Sequence, residues 1–136
     1  MKKCISILLL LFSIGSAQAQ GQLEYQFDFA RASLAQRKII KAIEALKIVY
    51  QAEPENANIN FLMGAAYTEL SGTEEEAMRH LLQAAQNVNP DYKVGSFQEK
   101  AAPIHVYYYL AVAYVEDNKC ALAYRAFEEF QKYKSK

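Results

Sequence analysis

Apolar residues recur at spacings of three and four along most of the chain, and after Glu24 no segment keeps a sustained alternation of apolar and polar positions. That periodicity predicts helices and argues against strands. The clearest stretch runs from Asn58 to Pro90, where Gly64, Ala65, Ala66 and Ala77 stand among Phe61, Leu62, Tyr67, Leu81 and Leu82. Small residues let two helices approach closely while bulky neighbours fill the flanks. The spacing predicts a helix over 57–70, a turn at Ser71-Gly72-Thr73 and a second helix over 74–87. Thr73 is the expected N-cap, and Glu74, Glu75 and Glu76 fall in the first turn, where the positive helix end favours carboxylates. One hairpin of this size cannot bury its own apolar face, so it calls for neighbours of the same kind.

The flanking sequence supplies them. After a polar lead at Gln20 to Leu23, Phe27, Ala30 and Leu34 predict a helix over 25–34. A second, over 38–51, carries Ile39, Ala42, Ile43, Leu46 and Val49 on one stripe and is broken at Glu53-Pro54. Beyond Pro90 a polar connector over 91–103 precedes a fifth helix over 104–115, with Pro103 in its first turn. A sixth helix over 120–133 puts Ala123, Ala126, Phe127 and Phe130 on its inner side and Lys132 and Lys134 at its negative end. The prediction is an all-α fold of three helical hairpins, six helices in all, over about 23–56, 57–90 and 104–136.

The first 19 residues belong to a different class of segment. Lys2 and Lys3 are followed by the apolar run Ile5 to Ile14 and by Ala17-Gln18-Ala19, a small-x-small pattern. This reads as a secretory signal peptide cut before Gln20, which places the mature chain in the periplasm. The run falls short of the roughly 18 residues expected of a membrane span, so none is expected in the mature chain. Cys4 precedes the apolar run, the wrong place for lipid attachment. Cleavage leaves Cys120 as the lone cysteine, so an internal disulfide is excluded and a buried helix position is expected for it.

Composition narrows the function. A chain of 136 residues makes one small domain, and 52% hydrophobic with 22% charged residues at zero formal charge argues against both disorder and nucleic-acid binding. With 10 Tyr and 7 Phe in so short a chain, some rings must lie at a surface or groove. His80 and His105 sit on different units without a ligand at metal spacing, and neither a phosphate loop nor a serine elbow is present. No catalytic residue, cofactor or metal is therefore expected.

Overlaying the hairpins shows one unit repeated. Ala30 and Gly64 lie 34 residues apart, and Ala42, Ala77 and Ala123 are each followed four residues later by Leu46, Leu81 and Phe127. Pro54 and Pro90 close the first two units, while Leu110-Ala111, Tyr114 and Asn118 mark the third. This pattern resembles the tetratricopeptide repeat over nearly all of the mature chain. It departs from the family in the longer second unit, the delayed third and Ser33, where an aromatic is usual. A narrower resemblance lies in ENANINFLMGAAY and FQEKAAPIHVYYYLAVAY, which are similar to the N-terminal repeats of Gram-negative envelope proteins that continue into a β-propeller and an outer-membrane-protein-A-like domain. Such proteins are associated with type IX secretion and gliding. The resemblance carries over only the interaction module, with outer-membrane association as an expectation.

A tetratricopeptide-like α-solenoid implies a concave groove lined by the first helix of each unit. By that register the partner-binding residues are Phe27 and Arg31 from the first unit, then Asn58, Phe61, Leu62, Ala65 and Thr68 from the second. His105, Tyr108, Tyr109 and Val112 complete the set from the third. Aromatic anchors dominate most interfaces, which singles out Tyr108 and Tyr109. One subclass of the family grips a terminal carboxylate with Lys, Asn and Arg. Phe27, Arg31, Leu62 and Tyr109 take that surface here, so an aromatic and apolar partner is expected, with no carboxylate clamp. The implied function is an exported scaffold binding another envelope protein or peptide, with self-association as a further expectation. The alternative is a small periplasmic ligand carrier or enzyme using the tyrosine-rich third unit as a pocket.

Overall fold

The computed structural model describes residues 2–135, with side chains from Ala17 onwards. Six helices run through the described residues: α1 (Lys2–Ala35), α2 (Ile39–Ala52), α3 (Ala57–Tyr67), α4 (Glu74–Ala84), α5 (His105–Glu116) and α6 (Cys120–Lys134). Strand-like pairing among them is confined to one isolated bridge between Val88 and Ala102. The expected leader over 1–19 lies outside the described side chains except at Ala17, Gln18 and Ala19, all exposed. The lead at Gln20 to Leu23 is no break, since α1 continues through it without a proline or cap to stop it. No helix among the described residues is long and apolar enough to cross a membrane.

Helices pack in sequence order. α1 lies on α2, α3 on α4 and α5 on α6, while α2–α3 and α4–α5 contacts join the pairs and α3 also touches α5. Two apolar clusters fill the seams. Phe27, Leu46, Val49, Ile59 and Met63 occupy the first, and Leu81, Ala84, Val106, Leu110 and Ala126 the second. Each large side chain so buried contributes about 1.5–3 kcal/mol relative to exposure. The closest approach is at Gly64, where an added Cβ would stand 2.6 Å from Leu81 Cγ and 3.1 Å from its backbone nitrogen. The absence of a side chain there lets α3 and α4 pack.

Helix ends depart from the sequence expectation in instructive ways. Thr73 precedes α4 but makes no side-chain cap to it. Its hydroxyl instead donates to the carbonyls of Tyr67 (2.7 Å) and Leu70 (2.9 Å), satisfying the end of the preceding helix. The first turn of α4 is served by its acidic triplet, and Glu74 accepts from the Gly72 amide at 3.0 Å. The cap that forms is Asn56, whose Oδ1 accepts from Asn58 N (3.0 Å) and Ile59 N (3.2 Å) at the start of α3. Both α3 and α4 end three residues early, tightened by three-residue bonds such as Leu70 N to Tyr67 O (3.1 Å) and Asn87 N to Ala84 O (3.3 Å).

Candidate functional site

The connector is an ordered loop. Asn89 N donates to Ala102 O (2.9 Å) and Ala102 N to Asn87 O (2.8 Å), closing a neck from which residues 90–101 project. Glu99 staples the interior, accepting from Ala101 N at 3.0 Å through Oε1 and from Lys93 N at 3.1 Å through Oε2. Those backbone donors, Ala101 first, hold its carboxyl below the usual range. Gly95 takes a φ of +83°, and an added Cβ would meet the Arg31 guanidinium at 2.7 Å. Glycine takes this φ without strain and leaves the guanidinium where it is.

This loop lies across α1 and α3, on residues expected to face a partner. Phe97 is buried against Phe27 with ring centroids 5.6 Å apart. Asn58 is fully buried, donating from Nδ2 to Glu99 O (3.1 Å) and accepting the Tyr92 hydroxyl (2.6 Å). Burial of the Tyr92 phenol raises its pKa, partly offset by the Arg31 charge. Arg31 donates to Gly95 O at 3.3 Å. The expected open groove is therefore covered at Phe27, Arg31 and Asn58, and the connector covers it. The signal for this was in the sequence: Tyr92 and Phe97 are aromatics in a stretch otherwise polar enough to read as a passive link.

Beside the loop a cleft of about 370 Å³ opens between α1, α3 and α5, lined by Arg31, Phe61, Leu62, Tyr92, Ile104 and His105. Phe61 meets Tyr109 edge-on at 5.7 Å, and burial raises the Tyr109 pKa. Ala65 is half-buried further along α3, and the Thr68 hydroxyl donates to Ala65 O at 2.7 Å, a helix-end contact. His105 is exposed and packs against Phe130 at 5.7 Å.

A second apolar surface belongs to the third hairpin. Tyr108, Val112, Val115, Cys120, Tyr124 and Phe127 line a cleft of about 520 Å³. Val115 is 60% and Tyr124 64% exposed, large values for side chains in one patch. Phe127, expected on the inner side of α6, is 42% exposed because Ala123 and Ala126 supply the contact with α5. The Cys120 thiol is free and exposed in this patch, correcting the expectation of a buried residue. The first turn of α6 begins there, outside the α5–α6 seam.

A further cleft of about 700 Å³ lies between α4 and the α5–α6 turn and is rimmed by Glu74, Glu75, Arg79, Asp117 and Lys119. No three His, Cys, Asp or Glu side chains among the described residues cluster as a metal set. His80 is buried and spoken for by Asn60 Oδ1 at 2.8 Å and Arg79 Nη2 at 3.1 Å. Of the eleven expected partner-facing residues, Phe61, Leu62 and His105 share the loop-side cleft with Arg31, and Tyr108 and Val112 share the third-hairpin patch. No protein-family model and no curated protein sequence matches this chain.

Proposed function

We propose that the chain is an exported binding scaffold, a tetratricopeptide-like array that holds another envelope protein through aromatic and apolar contact and does no chemistry itself. The observation that carries this is the uncovered face of the third hairpin, where Tyr108, Val115, Tyr124 and Phe127 are each more than 40% exposed around one apolar cleft. Large exposed patches of this composition characterise protein docking surfaces. Support also comes from the serial packing of helix pairs and from the leader-like residues 1–19, which fit a repeat module working in the periplasm. Tyr108 and Tyr109 are the anchors in this reading, with Tyr124 added from the geometry.

The test is capture from envelope extract followed by identification of bound proteins. Wild type should retain a partner that Tyr108→Ala, Tyr109→Ala and Tyr124→Glu recover at least tenfold less well. Undiminished recovery by all three variants sinks the scaffold reading.

A further inference from the structure

The side of the molecule lined by α1 and α3 is already gripping a length of chain, its own. Four hydrogen bonds reach the main chain of the loop. Lys100 O accepts from Ala57 N (3.0 Å) and Asn58 N (3.3 Å) at the start of α3, Glu99 O accepts from Asn58 Nδ2 (3.1 Å), and Gly95 O accepts from Arg31 Nη1 (3.3 Å). Three contacts read side chains: the Phe97 ring on Phe27, the Tyr92 hydroxyl on Asn58 and the Lys100 ammonium on the Glu53 carboxylate at 2.6 Å. Lys93, Val94 and Gln98 face outward and are exposed. Main-chain bonds for grip and a few pocketed side chains for selection are the division of labour found in peptide-binding grooves.

Release of the loop need not unravel the fold. Its neck closes through Asn87, Asn89 and Ala102, none of which contributes to the contacts above. The Glu99 staple is likewise internal to the loop and its flanks. Tethering raises the loop's effective concentration to the order of millimolar, so even a weak intrinsic affinity keeps the trough filled.

We propose that residues 91–101 are an internal occupant of a peptide-binding trough, displaced by a partner segment that takes the same two turns, Lys93 to Ser96 and Ser96 to Glu99, and so presents two aromatic side chains five residues apart, as Tyr92 and Phe97 do. The partner belongs to the scaffold reading, but the affinity of strap for trough is measurable with this chain alone, so either can fail separately.

The test uses a labelled synthetic peptide spanning residues 89–102 and fluorescence anisotropy. It should bind a Tyr92→Ser, Phe97→Ser double variant of the full chain at least tenfold more tightly than wild type, whose trough is filled. A peptide carrying Phe97→Ser should lose that binding. Equal binding to wild type and to a double variant with unchanged helical circular dichroism overturns the proposal. If the double variant loses its helical signal, amide hydrogen exchange on wild type decides. The Ala57 amide, whose acceptor is on the loop, should exchange at least tenfold faster than the amide of Leu81 in α4; equal rates make the loop a fixed part of the core and overturn the proposal.

Discussion

His80 is enclosed on every side that matters for its charge. Tyr67 of α3 stacks on the ring at 5.7 Å, Tyr50 of α2 meets it edge-on at 5.1 Å, and Arg79 and Glu76 of its own helix are the nearest charges. Because the Arg79 guanidinium can only donate to Nε2, the neutral ring carries its proton on Nδ1 and donates it to Asn60 Oδ1. Asn60 is fixed in the matching orientation by donating from Nδ2 to Pro54 O (2.8 Å) and Asn56 O (3.0 Å). Burial first, and then the Arg79 charge, push the His80 pKa from 6.5 to about 4, against a smaller opposing pull from Glu76. The unfolded chain therefore binds the proton that the folded one refuses, so stability is full above pH 6.5 and falls as pH drops toward 4. Urea unfolding should show a loss of about 2 kcal/mol between pH 7 and pH 5, and a His80→Gln variant should have a flatter profile over that window. An identical pH profile in the variant would assign the dependence elsewhere. At Gly64 the expected outcome of Gly64→Ala is a net loss of about 1 kcal/mol. Overpacking against Leu81 costs about 1–3 kcal/mol, and better helix propensity returns about 1. A gain in urea midpoint would mean that α3 and α4 separate freely.

Among the elements, those whose apolar periodicity is strong were legible and those set by polar accounting were not. The α2 stripe of Ala42, Ile43, Leu46 and Val49 is buried as its spacing predicts, and α4, α5 and α6 begin within a residue of expectation. Thr73 and Asn56 are both good capping types, and only the spatial position of the α3 carboxyl end decides that Thr73 caps backward while Asn56 caps forward. Asn56→Ala should accordingly cost about 1 kcal/mol in thermal or urea unfolding, and Thr73→Ala should cost stability through the end of α3 without lengthening α4. The connector was the larger surprise. Its polarity suggests a passive link, yet Phe97 completes the first apolar cluster. A loop whose ordering depends on one ring, one hydroxyl and a glycine at positive φ does not announce itself through periodicity. Gly95→Ala should detach the Arg31 contact and raise protease sensitivity over 91–101 while leaving the helical signal intact.

Across the whole molecule, the same aromatic richness serves two purposes that sequence alone does not separate. Phe27 and Tyr124 are both rings on predicted helices, yet Phe27 is fully buried and Tyr124 is 64% exposed. The difference arises because the first two hairpins share a seam and a covering loop, whereas described residues leave the outer face of the third uncovered. Of the expected partner-facing positions, those on α1 and the start of α3 went under the loop, and those on α5 stayed accessible at Tyr108 and half-accessible at Tyr109 and Val112. Stability and partner capture should therefore part company along the chain. Phe27→Ala removes a fully buried ring and should cost about 3–5 kcal/mol of folding free energy. Tyr124→Glu changes an exposed position and should stay within about 0.5 kcal/mol of wild type while abolishing capture. Urea unfolding and partner recovery measured on the same two variants check this. A Tyr124→Glu variant that unfolds as readily as Phe27→Ala would place that ring in the core and remove the uncovered face on which the scaffold reading depends.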